Sequence, residues 1–169
     1  MNGMRLSRLL MAIVSAVITL NVIACGGSTP ENTPPAAAVP PPSRPPGIPP
    51  PADVAAPPAG ALKTASGISY IVIKPGTGTI HPKAASTVKV HYTGWQTTGE
   101  MFDSSVIRGE PIEFALTGVI AGWTEGVQLM VLGDKYRFWI PGPLAYDLIP
   151  DPSKPKGMLV FEIELLDIK

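Results

Sequence analysis

The sequence predicts an α+β domain of antiparallel strands with one short helix across one face, preceded by a long segment that does not fold. Three observations predict it. From Ile68 onward, five short apolar runs read as strands, most of them alternating with a period of two. At one place only, Ile120, Trp123, Val127 and Met130 recur at helical spacing. Between Ser28 and Gly60, proline, alanine, serine and threonine displace almost everything else, and such a composition buries too little apolar surface to fold.

The first strand covers Ile68 to Ile73 and is closed by the turn-forming cluster Pro75-Gly76-Thr77-Gly78. The second covers Val88 to Trp95, with Val88, Val90 and Tyr92 facing one way and Lys89, His91 and Thr93 the other. A glycine-bearing stretch then leads to Phe102-Asp103, an aromatic ring beside a carboxylate. A shorter strand, Ile112 to Leu116, puts Ile112 and Phe114 on one face and Glu113 on the other. The helical stripe from Ile120 to Met130 predicts about three turns, ended by Gly133. Gly126 inside it costs about 1 kcal/mol relative to alanine, which is tolerable if the helix lies close against a sheet.

Alternation returns over Asp134 to Ile140, with Tyr136, Phe138 and Ile140 on one face and Arg137 and Trp139 on the other. The run Met158 to Ile168 is the clearest strand, with Leu159, Phe161, Ile163 and Leu165 inward and Glu162 and Glu164 outward. Between these two, Pro141 to Gly157 is proline-rich and aperiodic, a long loop of the kind that is usually functional or mobile.

The N-terminal residues carry different information. Arg5 and Arg8 precede an apolar run from Leu9 to Leu20, shorter than the ~20 residues a membrane span needs. The run ends Val22-Ile23-Ala24-Cys25-Gly26, which resembles a bacterial lipoprotein signal: residues 1–24 would be removed and Cys25 would carry the lipid. Residues 25–60 would then tether a folded domain, 61–169, away from a membrane, with a reach of ~100 Å if fully extended. The competing reading of the proline-rich segment is a docking ligand for a proline-binding domain.

Composition excludes several function classes. Of 13 basic residues the leader takes Arg5 and Arg8, leaving 11 against 13 acidic residues and a net charge of −2. Without a basic stripe, nucleic-acid binding loses its electrostatic basis. Cys25 is the only cysteine, so no intramolecular disulfide forms and the domain must hold by its core. The two histidines, His81 on a loop and His91 on an outer strand face, make no metal site.

Three aromatics and one acid, brought together by strand and helix, would make a small apolar cup with one polar wall, which suits a prolyl ring. The runs VHYTG (from Val90), FDSS (from Phe102), VIAGWTEGVQLM (from Val119), the pair Ala145-Tyr146 and LVFEIELL (from Leu159) occur in this order. Together they closely resemble the FKBP family of peptidyl-prolyl isomerases, the immunophilins that bind tacrolimus and rapamycin. The TEGVQLM wording is similar to that of bacterial lipid-anchored and periplasmic members, including the macrophage infectivity potentiator group.

The resemblance implies a curved antiparallel β-sheet wrapped around one short α-helix, and it implies roles for particular residues. Trp123 would floor the pocket, Tyr92, Phe102 and Phe161 would be its aromatic walls, and Val119 and Ile120 its rim. The Ile120 amide and the Tyr146 hydroxyl would bind the substrate backbone, and Asp103 would be the polar wall. Phe114 and Ile112 belong to the substrate-binding set, although Ile112 stands where many members carry a pocket phenylalanine. Asp147-Leu148-Ile149-Pro150-Asp151-Pro152 replaces the glycine and the glycine-isoleucine-proline stretch that cap the pocket elsewhere.

The implied function is cofactor-free cis-trans isomerisation of X-Pro bonds in proline-containing clients outside the cytoplasm. The anchor would be in the outer membrane, facing the periplasm or the cell surface, because Gly26 lacks the acidic character of an inner-membrane retention signal. The dimerising helical arm of some bacterial relatives has no counterpart in this proline-rich tether, which predicts a monomer. The alternative is a non-catalytic peptide-binding chaperone module on the same fold.

Overall fold

The computed structural model describes residues 47–169. The expected leader 1–24, the lipidated Cys25 and the first part of the tether lie outside the described residues.

Seven strands form one antiparallel sheet: β1 (Leu62–Lys63), β2 (Ser69–Lys74), β3 (Thr87–Gln96), β4 (Met101–Ser104), β5 (Ile112–Ala115), β6 (Lys135–Ile140) and β7 (Leu159–Ile168). The order is β1-β2-β6-β7-β3-β4, and β5 also pairs with β3. Strand β7 sits centrally, in register with β6 on one side (Phe138 opposite Phe161) and with β3 on the other (Tyr92 opposite Ile163). This matches its sequence, the longest alternation in the chain. The far edge of β3 is shared, with β5 pairing to Thr87–Val90 and β4 to Thr93–Trp95.

Two elements here were not expected. Strand β4 follows β3 through a hairpin turn closed by Gly99 N–H donating to the Gln96 carbonyl at 2.9 Å. A one-turn helix, α1 (Ser105–Arg108), interrupts the shared edge; the Ser104 hydroxyl caps it by accepting from Ile107 N–H at 3.3 Å. Four residues are too few to produce a recognisable period, so neither element has a sequence signature.

Helix α2 (Ala121–Val127) is shorter than the expected three turns. After Val127 the bonding tightens to Leu129 N–H on Gly126 C=O and Met130 N–H on Val127 C=O, both 3.1 Å. This three-residue spacing turns Met130 into the core, where it is fully buried. The same apolar stripe is therefore kept, but its last turn is not α-helical.

The inward residues of β3, β6 and β7, including Val88, Val90, Phe138, Leu159, Ile163 and Leu165, close on α2 to make the core. Each fully buried side chain of this size stabilises the fold by roughly 1.5–3 kcal/mol. Gly122 and Gly126 set the helix-to-sheet distance. A Cβ on Gly122 would overlap Ile140 Cγ2, and one on Gly126 would come within 3.0 Å of Phe138 Cε1. The helical glycine thus permits the close approach that its cost implied. The Pro75–Gly78 turn is pinned from below by Asp134, whose carboxylate accepts from Gly76 N–H and Val131 N–H, both at 2.6 Å.

The tether does not run free to Gly60. From Gly47 the chain lies on the outer face of the sheet, where Trp95 and Trp139 each donate an indole N–H to it at 3.1 Å, to the carbonyls of Ile48 and Asp53. Residues 47–53, expected to belong to the linker, therefore pack on the sheet, because outward-facing tryptophans give the prolines a surface to cover.

Candidate active site

The site is an open cavity of about 460 Å³ on the inner side of the sheet, within the range usual for small-ligand pockets. Trp123 is carried there by α2 and is only 4% exposed. Three rings meet it nearly at right angles: Tyr92 at 5.1 Å between centroids, Phe114 at 5.5 Å and Phe161 at 5.6 Å. Phe102 extends the wall by meeting Phe161 edge-on at 5.5 Å. Edge-to-face contact puts the positive rim of one ring against the negative face of another, so the cluster holds its shape without polar bonds.

Topology explains why these residues converge. Gly94 of β3 is the register partner of both Phe161 on β7 and Asp103 on β4. Tyr92, two residues back, faces the same side. Sequence reasoning placed Tyr92, Phe102, Asp103, Phe114, Val119, Ile120, Trp123, Tyr146 and Phe161 at the cavity, and all nine line it.

Ile112 does not line it. It pairs with Val90 at the start of β5 and packs against the core. The wall expected to be opened by Ile112 is closed instead by Phe114, two residues on and on the same face. Ile149 lines the cavity too, so the loop after Tyr146 supplies part of the expected missing cap. Lys156 Nζ holds that loop by donating to the Tyr146 and Ile149 carbonyls, both at 2.8 Å. Gly118, Ala121 and Ala145 were missed as lining residues. All three are glycine or alanine, too small to carry a pattern that a sequence would show.

The polar wall is a three-part network. The Tyr92 hydroxyl and the Arg108 guanidinium both donate to Asp103, and Arg108 Nη2 also reaches the Tyr92 hydroxyl at 3.2 Å. Arg108 comes from α1, the element with no sequence signature, and so escaped notice. Burial alone would raise the Asp103 carboxyl, but its Tyr92 and Arg108 partners outweigh that and hold it below the usual carboxylate range. Burial, then the bond to Asp103, pushes Tyr92 up to about 12. Asp103 is thus a fixed negative charge and Tyr92 a committed donor.

Tyr146 differs. Its hydroxyl has no hydrogen-bond partner among the described residues. Burial, followed by the charge of Asp103, raises its pKa, so it stays a neutral donor at the cavity mouth. The Ile120 N–H, just ahead of α2, makes no backbone bond among the described residues. The site therefore offers an apolar floor, a fixed carboxylate and two free donors.

Comparison with known proteins agrees with this arrangement. The family model of FKBP-type peptidyl-prolyl cis-trans isomerases matches residues 78–166. The isomerase FkpA of Aeromonas hydrophila is 54% identical over 111 residues, covering 65% of this chain and 41% of that protein. FK506-binding protein 1 of Saccharomyces cerevisiae is 42% identical over 100 residues, covering 57% of this chain and 88% of that protein. The crystal structure of FkpA from Escherichia coli superposes with a TM-score of 0.61 at 43% identity, covering 66% of this chain and 52% of that one. The chain spans about half or less of the length of its first bacterial relatives. Every residue lining the aromatic cavity, from Tyr92 to Phe161, and the helix α2 lie within residues 78–166, and the chain belongs to the FKBP-type peptidyl-prolyl cis-trans isomerase family.

Proposed function

We propose that this chain isomerises X-Pro bonds in exported polypeptides, working from a lipid anchor. The observation that carries the reading is the Trp123 floor with three rings standing on it, beside two unused hydrogen-bond donors. Rotation about a peptide bond meets a barrier of ~18–20 kcal/mol, and no covalent bond breaks. No nucleophile is required. In the twisted state the amide loses resonance and its carbonyl sheds negative charge. An apolar cavity penalises that state less than the planar one, and each ~1.4 kcal/mol of preference gives a factor of ten in rate.

The prolyl ring rests on Trp123. The Ile120 N–H and the Tyr146 hydroxyl hold the flanking backbone still while the X-Pro bond turns. Asp103, locked by Tyr92 and Arg108, lies beside the reacting carbonyl and gives the wall a constant charge. Tacrolimus and rapamycin are the corresponding non-peptide ligands, and the name of the yeast relative, an FK506 (tacrolimus) binder, supports the first of them.

The leader, residues 1–24, and the Val22-Ile23-Ala24-Cys25-Gly26 boundary support an extracytoplasmic address. Cys25 carries the lipid, the outer membrane is the site, and the domain acts as a monomer on its tether. A protease-coupled proline tetrapeptide assay on the full chain tests the activity. Isomerisation well above the uncatalysed rate, lost in Trp123→Ala, is expected; a folded chain with tacrolimus binding but no turnover would replace this reading with the non-catalytic peptide-binding one. The anchor is tested by Cys25→Ser, which should release the protein from membranes and leave it without a lipid mass.

A further inference from the structure

The outer face of the sheet carries a second arrangement, with a different chemistry from the cavity. Trp139, Val160 and Trp95 are direct register partners on β6, β7 and β3, so they form one row across three neighbouring strands. Neither tryptophan is more than 1% exposed and Val160 is fully buried, yet no second layer of sheet or helix covers them among the described residues. What covers them is the segment Gly47-Ile48-Pro49-Pro50-Pro51-Ala52-Asp53.

Donors and acceptors divide cleanly between the two sides. The sheet presents the Trp95 and Trp139 indole N–H groups and the Arg137 guanidinium. The segment answers with the Ile48 carbonyl, the Asp53 carbonyl and the Asp53 carboxylate. Pro49, Pro50 and Pro51 have no backbone N–H, so the proline run brings no donor that would need an acceptor. Arg137 is held in place from the other side by Glu162 of β7, which accepts from its Nε at 3.0 Å and its Nη2 at 2.5 Å.

The lengths agree as well. Two strand spacings are about 10 Å; the chain from Ile48 to Asp53 would reach about 15 Å as polyproline helix, and the turn closed by Val54 N–H on the Pro51 carbonyl at 3.0 Å shortens that span. Pro50 lies against Gly99 and Gly47 against Met101, at the β3–β4 end of the row. The other proline run of the chain, Pro40-Pro41-Pro42-Ser43-Arg44, would bring a cation toward Arg137 instead of a carboxylate, which disfavours that register.

We propose that this face is a second proline-recognition site, independent of the aromatic cavity. It takes an extended proline run followed two residues later by a carboxylate. Gly47–Asp53 fills it in cis. The site binds its ligand by shape and acceptor pattern and twists no bond. Seating the segment also removes about 20 Å of free reach from the tether, and keeps Gly47–Asp53 on the side of the sheet away from the cavity.

The test follows the three indole N–H resonances of the full chain by NMR. In the variant Pro49→Ser/Pro50→Ser/Pro51→Ser/Asp53→Ser, hydrogen exchange at Trp95 and Trp139 should quicken at least about tenfold, with Trp123 little changed. The free peptide Gly-Ile-Pro-Pro-Pro-Ala-Asp should then restore protection at those two indoles, and a peptide ending in arginine should not. The milder Asp53→Asn chain keeps every proline and should quicken Trp139 alone. Unchanged exchange in both variants, loss of protection at all three indoles in both, or a peptide that perturbs Trp123 instead would each overturn the proposal. Isomerase activity is not among the readouts, so the outcome is independent of the catalytic reading.

Discussion

The Tyr92 hydroxyl donates to the Asp103 carboxylate across the β3–β4 pair. That bond decides which tyrosine of the cavity is free to act. Tyr92 is bound to the wall it helps to build, and Tyr146 is left as the hydroxyl that can meet a substrate carbonyl.

Tyr146→Phe should therefore lower kcat/KM and leave stability nearly unchanged. One hydrogen bond to the substrate is worth roughly 0.5–1.5 kcal/mol, or about two- to tenfold in rate. Urea unfolding measured beside the tetrapeptide assay checks this. A variant with full activity would assign Tyr146 to packing.

The raised Tyr92 pKa predicts an alkaline limb of stability. The folded chain keeps a proton to about pH 12, whereas an ordinary tyrosine loses it near 10.0. This contribution is whole below pH 10 and is lost as pH rises toward 12, because the unfolded chain then releases the proton first. Tyr92→Phe should flatten that limb, and a phenolate absorbance titration should lose its highest step. Identical curves for the two proteins would rule the assignment out.

Gly122→Ala should destabilise the domain although alanine is the better helix former. Alanine gains about 1 kcal/mol in a helix interior, but overpacking against fully buried Ile140 costs about 1–3 kcal/mol. A lower urea midpoint at constant m-value is the expected result. A higher midpoint would mean that α2 can move outward without loss.

Phe114, not Ile112, should govern ligand affinity at this wall. Removing the ring that stands on Trp123 forfeits an aromatic contact of about 0.5–1.5 kcal/mol beyond its buried area. Phe114→Ala should weaken tacrolimus binding at least severalfold in a thermal-shift titration, while Ile112→Val changes it little. Equal loss in both variants would return Ile112 to the cavity.

The legible parts of the chain were those whose burial is set within one element. Strands β3 and β7 alternate because one face of each is core. The stripe through Trp123 repeats because one side of α2 meets the sheet. Ile112 and Phe114 share that kind of face, so periodicity placed both inward but could not say which reaches the cavity. The packed structure separates them: Phe114 meets both Tyr92 and Trp123 and lines the cavity, and Ile112 does not.

The sequence by itself determined the α+β class, the inward set of residues and most of the aromatic cavity. Local pattern and motif order carry all of these. Only the tertiary structure decided that Arg108 locks Asp103, that Ile149 closes part of the cavity, and that Gly47–Asp53 lies on Trp95 and Trp139. Those three depend on residues from separate elements meeting in space, and a proline run has the same composition whether it is free or seated. Its neighbour decides, and that neighbour is a row of side chains from β6, β7 and β3 that exists only once the sheet has formed.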